Sequence, residues 1–479
     1  MSLPAWLLKR RPSPRAVDVV VVGAGVAGLV CGAALARAGL QIVVVDRGRR
    51  AGGLLQSFGV QGWSVDTGPL LWSGPELREA LEFAGLENPP LAVVDVARQL
   101  RLAVLSDKGA EGPWPVPIPG AVPSPATLAA IKRILDIPRR AFADLGVLCE
   151  TLRGEPPGRG VSLAGWLEGR QVDGAVLRGL AGTAEILGAP GRRGLQLEAL
   201  EFAERLASLQ GAAGRDLVVA GDGPIPGARG VVQGLVDALL AAGGELRLGT
   251  RVRAVLAEDG AASGVVVSRG DEPFVETIEA GACVLAVGSH HLSEVLPSRF
   301  FNELPEQPAR IVWACGAFGL DGKESTPEDA GPGVSKRIGT AFLRALPLDE
   351  NALDGRVVEA SAFAPRVAPP GSELFLGRVR VGEGRPAEFQ QAESGAVGVR
   401  ALLEVACPGA GARLAWERLW VEAVAEVPLP GDADALPLAL PGLARVFLAS
   451  ARTAGQGSEP VSRAATSGAA AARRLLGAG

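Results

Sequence analysis

Three glycines, Gly23, Gly25 and Gly28, stand in G-x-G-x-x-G spacing directly after the β-branched run Asp18–Val22. A second apolar run, "QIVVVD", ends in an acid, Asp46. That combination is suited to holding a dinucleotide. Gly23 permits a tight turn, Gly25 lets backbone approach a pyrophosphate, and Gly28 lets a helix pack closely on a strand. The unpaired N–H groups around Val26 and Ala27, with the partial positive charge of a helix start, suit phosphates. Asp46 is placed to accept hydrogen bonds from ribose hydroxyls.

Other chemistries find little support. The chain has 479 residues, a net charge of −4, no tyrosine and two histidines. Its charge gives no general drive toward nucleic acid. The five cysteines, at 31, 149, 283, 315 and 407, form no C-x-x-C pair and no Cys/His ligand run, so no metal site is expected. They fit a reducing compartment, and a cytoplasmic location is expected. No nucleophile motif or paired-carboxylate signature stands out. His290 and His291 read as capping or surface residues, with a place beside a cofactor as the alternative. Trp416 and Trp420 read as core, with pocket lining as the alternative.

These residues require particular elements. Asp18–Val22 predicts a buried parallel strand. Val26–Ala38 predicts a helix, closed by Gly39. The run Val19–Ala36 carries no charge and is long enough to cross a membrane. The strand-like valines, the second apolar run and its acid instead fit a βαβ unit. Farther on, Pro224–Val267 predicts a Gly-rich turn and a helix with apolar positions at Val231, Val232, Leu235, Val236, Leu239 and Leu240. Gly243-Gly244 ends it and strands follow. Ala282–Gly288 predicts another buried strand of the same sheet. Near the C-terminus, Arg445–Ser450 predicts a strand, followed by a Gly-rich loop and a helix of small residues.

The stretch after Asp46, "RGRRAGGLLQSFGVQGWSVDTGPLLW", resembles the N-terminal signature of flavin amine oxidases, phytoene desaturases and protoporphyrinogen oxidases. The matching positions are Asp46, the basic loop Arg47–Arg50, Gly52-Gly53, Gly62-Trp63, Asp66 and Gly68-Pro69. The glycine pair is expected to let a cofactor lie along the backbone. The resemblance implies the α/β class: a Rossmann-like FAD-binding domain with an inserted α+β substrate domain. It implies that residues 1–88, 224–290 and 440–479 form the FAD domain, with 89–223 and 291–439 as the substrate domain. It places the backbone of Val252 on the adenine, and Ser450 and Ala451 near the ribityl chain. Two positions depart from the pattern. Leu54 stands where the family usually has Arg, and Ala451 where many relatives have an acid.

The resemblance is strongest to the carotenoid-type members. It implies an FAD-dependent desaturase that passes hydride from a large apolar substrate to the flavin. A protoporphyrinogen oxidase-like enzyme is the near alternative. A redox-inactive member serving as a binding or scaffold protein is the other. An apolar substrate of that size suggests peripheral membrane contact. The candidate segment is Pro123–Phe142, where Leu128, Ile131, Ile134, Leu135 and Ile137 recur at helical spacing beside Lys132, Arg133, Arg139 and Arg140. A packed amphipathic helix is the plainer reading of it. In the second insertion, "RIVWACGAFGL", "ELFLGRVRV" and "LAWERLWVEAV" predict strands of a substrate-domain sheet.

Overall fold

The computed structural model describes residues 10–11, 16–69, 72–93, 100–106, 109–115, 125, 137–158, 160–187, 194–200, 202–203, 206, 217–270, 275–305, 310–322, 340–345, 354–383, 393–425, 435–453 and 460–477. The βαβ unit is present as β1 (Val17–Val22), α1 (Val26–Arg37) and β2 (Ile42–Val45), with β1 and β2 parallel. Gly39 ends the helix in the left-handed region, at φ 89°. A hairpin follows, β3 (Ser57–Val60) and β4 (Trp63–Asp66), and then helix α2 (Gly74–Phe83).

The first insertion supplies two antiparallel strands, β5 (Leu100–Ser106) and β6 (Gly109–Pro115). Helices α3 (Arg139–Gly154) and α4 (Gly174–Leu187) come next. They enclose a core of their own with Ile137, Phe142, Leu145, Trp166, Leu180 and Phe202. Ile137 and Phe142, the end of the basic amphipathic segment, are therefore buried. Leu128, Ile131, Ile134 and Leu135 lie outside the described residues.

The second block forms α5 (Ala228–Ala241), β7 (Glu245–Arg247), β8 (Thr250–Glu258), β9 (Ala261–Arg269) and β10 (Val275–Leu285). Further elements are β11 (Arg310–Leu320), β12 (Thr340–Ala345), β13 (Asp354–Glu359), β14 (Glu373–Glu383), α6 (Glu393–Ala406), β15 (Leu414–Ala425), β16 (Val446–Leu448) and α7 (Pro460–Leu475).

A parallel sheet runs in the order β7–β2–β1–β10–β16. β10 changes partners along its length. Its first half pairs antiparallel with β9, which pairs with β8. Its second half, from Ala280, pairs with β1. Alternate valines of β1 serve two cores. Val19 and Val21 meet Leu29, Leu35, Leu235, Leu239 and Ala465 on the helical face. Val20 and Val22 meet Val252, Cys283, Leu292 and Phe300 on the other. Burial on both faces is why β1 is an unbroken run of valines. Helix α1 is just as enclosed, with Val26–Ala36 all buried. The uncharged stretch is thus the core of a sheet and its helix, and among the described residues no helix is long and apolar enough to cross a membrane.

The three predicted strands of the second insertion are β11, β14 and β15. They join a mixed sheet in the order β15–β11–β14–β13–β12–β5–β6, so the two insertions share one sheet. Helix α6 covers one face, packing Val399, Leu402 and Leu403 on Phe318, Leu320 and Val379. The other face meets the β3–β4 hairpin. Trp63 stands edge-on to Trp416 with ring centroids 5.6 Å apart, and Phe58 edge-on to Trp420 at 6.1 Å. Trp416 and Trp420 are accordingly part of a core joint.

Candidate cofactor cleft

Strand order reverses between β1, which leads to β2 on one side, and β10 on the other. Ligands of open α/β sheets bind beyond the strand ends at such a point. A cavity of ≈ 550 Å³ lies there, inside the usual ligand-pocket range of about 300–1,000 Å³. Gly23, Gly25, Val26, Ala27, Asp46, Arg47, Gly52, Gly53, Leu54, Pro69, Val252, Ser450 and Ala451 all line it. Segments from the beginning, middle and end of the chain thus meet around one space. Gly28 and Gly68 act from behind its wall. A Cβ on Gly28 would lie 1.9 Å from the Gly23 carbonyl oxygen, and one on Gly68 2.4 Å from that of Leu54.

The glycine pair also has a reason within the fold itself. Gly52 donates its N–H to the Ala24 carbonyl at 2.7 Å, and Gly25 and Gly52 bridge as parallel neighbours. A Cβ on Gly53 would lie 3.0 Å from Gly25 Cα, and one on Gly52 2.1 Å from the Leu55 carbonyl oxygen. The pair is needed so that its own backbone can settle on the fingerprint turn.

Asp46 closes β2 and reaches back to that turn. Its carboxylate accepts N–H bonds from Ala24 and Gly48, each at 2.6 Å. Each oxygen keeps acceptor capacity for a ribose hydroxyl. Asp66 has another task. Its buried carboxylate accepts the Ala228 N–H at 2.7 Å, at the start of α5, and the Ser57 hydroxyl at 2.6 Å. Gly227 has φ 75°, and a Cβ there would lie 2.6 Å from Asp66 Oδ2. Burial pushes the Asp66 carboxyl up, against the downward pull of these two hydrogen bonds. The acid of the extended signature thus ties the first block to the second.

At the Asp46 end of the cleft, Arg47, Arg251, His291 and Glu294 form a connected group. Arg47 Nη2 lies 2.6 Å from His291 Nε2, His291 Nδ1 2.6 Å from Glu294 Oε1, and Arg251 donates to Glu294 Oε2 at 2.9 Å. Burial raises the Glu294 pKa, but the hydrogen bonds and charges of His291 and Arg251 outweigh it and hold the carboxyl below its ordinary value. Both histidines line the cavity. His291 also stands at the N-terminal cap position of the short helix Leu292–Val295. The available signal was their position directly beyond a sheet strand, where that sheet's ligands bind.

At the C-terminal block, Ser450, Thr453 and Arg452 make a tight turn: Thr453 Oγ1 accepts from Ser450 N at 3.0 Å, and Ser450 Oγ from Arg452 N at 3.2 Å. The Gly-rich loop that follows lies outside the described residues. Pro460, Val461 and Ala464 of α7 reach the cavity, as do Val26 and Ala27 of α1. Two helix N-termini therefore converge on it. Among the described lining residues, four arginines stand against two carboxylates, net +2 with neutral histidines. Side-chain-free backbone, two helix starts, this charge and an acid at a strand end fit a dinucleotide.

Residues 21–84 match the model of an NAD(P)-binding Rossmann-like domain. All-trans-retinol 13,14-reductase of Rattus norvegicus is 42% identical over 55 residues, 12% of this chain and 9% of that protein. The matched span is thus under a tenth of the length of that curated relative. Putrescine oxidase, solved with putrescine bound, has a TM-score of 0.60 at 16% identity and covers 98% of this chain and 100% of its own. A putative protoporphyrinogen oxidase from Exiguobacterium sp. 255-15 has a TM-score of 0.58 at 16% identity, with the same coverage. These likenesses show the fold of the chain, and residues 21–84 its Rossmann-like nucleotide-binding segment.

Proposed function

We propose that the protein is an FAD-dependent oxidoreductase acting on a large apolar small molecule of carotenoid, isoprenoid or retinoid type. The observation that carries this reading is the cleft built from all three sequence blocks. Asp46 would hold the ribose, the starts of α1 and α7 the phosphates, and Val252 the adenine through its backbone. Gly52, Gly53, Leu54 and Pro69 would form the wall at the other end. When bound, FAD supplies a two-electron hydride acceptor.

The surroundings of Pro69 are mainly apolar, though the space there has room for only about one water. A pocket of ≈ 30 Å³ there is lined by Trp72, Val219, Ala220, Val358, Phe363 and Leu376, with Asp66 and Thr67 as its polar members. Asp66 is engaged in holding α5 and is poorly placed for proton transfer. A bound FAD would supply the hydride acceptor that a desaturation needs. The chain's part is to bind, orient and exclude water. Because such a substrate partitions into lipid, peripheral contact with a membrane surface belongs to the same reading, and liposome co-sedimentation at low and high salt tests it.

The visible spectrum of the purified protein, with acid release and chromatography of the nucleotide, tests the cofactor. Flavin bands and released FAD are expected; nicotinamide dinucleotide alone would overturn the reading. Leu54 and Ala451 favour a second reading, a redox-inactive member that binds without turnover. Anaerobic mixing with a retinoid or carotenoid separates the two, since only an enzyme bleaches its flavin.

A further inference from the structure

We propose that Arg50 is the side-chain cation that binds the cofactor's pyrophosphate. This rests on the reading of the cleft as an FAD site. Four arginines line the cavity: Arg47, Arg50, Arg251 and Arg452. Three of them are engaged by the protein itself. Arg251 pairs with Glu294 at 2.9 Å, and Arg47 lies 3.8 Å from the same carboxylate and 2.6 Å from His291. Arg452 is buried in the wall and held by contacts of its own. Arg50 differs from all three. It is exposed, and its partner among the described residues is the Ser57 carbonyl oxygen at 3.4 Å. That is longer than an ordinary N–H···O bond. No carboxylate among the described residues pairs with it.

The fold sets this arginine beside the turn where phosphates would lie. Two residues after it, Gly52 donates to the Ala24 carbonyl at 2.7 Å and bridges to Gly25, which fastens the loop to the fingerprint turn. Val26 and Ala27 open α1 at the same place and line the same cavity. The turn and the helix start offer N–H groups and a partial charge. A pyrophosphate bears formal negative charge on both phosphates, and the rest of its own wall offers no counter-charge: Gly52 and Gly53 have no side chain, and the half-exposed Leu54 is apolar. A guanidinium with open donors supplies both the charge and the forked geometry that phosphate oxygens accept. The arginine suited to that task is the one whose charge the fold leaves uncompensated.

The test is calorimetric titration of flavin-stripped protein with FAD and separately with ADP, at about 50 mM and about 500 mM salt. Arg50→Ala is expected to weaken both ligands about tenfold at low salt. The difference from native protein should shrink at high salt, where screening has already weakened the native contact. Arg50→Glu should weaken both further, because it sets a like charge against the phosphates. Arg49, exposed on the same loop, is not among the residues lining the cavity. Arg49→Ala should therefore bind as native protein does, which separates a contact from the general field of a basic loop. Native affinity in Arg50→Ala, an equal loss in Arg49→Ala, Arg50→Glu no weaker than Arg50→Ala, or a loss for FAD with none for ADP overturns the proposal while leaving FAD binding intact. Failure of native protein to bind either ligand at either salt overturns both this proposal and the reading of the cleft.

Discussion

In the parallel sheet, backbones meet with nothing between them. In the seven-stranded sheet, large side chains make the joints. A Cβ on Gly28 would lie 1.9 Å from the Gly23 carbonyl oxygen, one on Gly23 2.3 Å from that of Ala286, and one on Gly468 of α7 2.2 Å from that of Ala27. The tightest glycine of the other sheet, Gly319, is crowded by the indole of Trp416, 2.1 Å away. Carbonyls in a strand or helix cannot give way, whereas side chains can repack. The first region is therefore a rigid cradle that presents bare backbone to a ligand. The second is a wall whose shape its side chains set. One scaffold can keep a cofactor and change its substrate in this way.

The hardest test of that contrast is Gly28→Ala. The methyl has no room, so a loss of more than about 4 kcal/mol is expected, read by denaturant unfolding or by failure to fold. Gly39→Ala, at positive φ but with nothing within 4 Å, is the control. It should cost only about 1 kcal/mol. Native-like stability of Gly28→Ala would break the comparison. On the other side, Trp63→Ala should cost about 3–5 kcal/mol and Trp63→Phe much less, because a smaller ring can still stand against Trp416.

Asp66 joins the regions, so its substitution sharpens the boundary between them. Asp66→Ala leaves the Ala228 N–H without its acceptor and should cost about 1–3 kcal/mol. Burial raises its carboxyl pKa in the folded state. The stability this gives is complete below the unfolded-state value and is lost as pH rises through the folded value. Asp66→Asn should therefore gain on native protein as pH rises from the acid range to neutrality, measured by urea unfolding at each pH. A constant difference would show that the carboxylate is not the buried charge described. Asp46→Ala should act on the ligand more than on the fold. FAD affinity is expected to fall roughly 10- to 100-fold with about 1 kcal/mol of stability lost.

The smallest effect concerns the thiols. Burial pushes Cys31, Cys149 and Cys283 up to about 12. Cys315 is raised as well, by burial and then by Glu422. Cys407 is less buried than these four. Alkylation of native protein at about pH 8 should give one adduct by mass spectrometry, on Cys407. Labelling of Cys31 or Cys283 would mean that the parallel sheet opens more readily than its packing implies.

Much of the cradle was legible in the chain because its signals are local. A strand of valines, glycines at fixed offsets and an acid at the next strand end all act within one βαβ unit. The strands of the second insertion were also legible, since alternating apolar residues mark a sheet. Their neighbours were not. β5 and β6 come from the first insertion yet complete the sheet of the second, and no local pattern announces that β12 will pair with β5. That both histidines would line the cleft was hidden for the same reason. Adjacent residues at a helix start carry no mark of what lies across from them.

The sequence by itself determined the unit β1–α1–β2, the bare backbone of its turn, and the acid at the end of β2. Backbone conformation, helix ends and strand burial are decided by residues a few positions apart. Tertiary structure alone decided that Asp66 would cap a helix starting 162 positions later and that Arg47 would meet a histidine 244 positions away. Such partners are chosen when sheets set their register and helices pack upon them. The selection depends on how the whole core fills its space, which no short stretch of chain encodes.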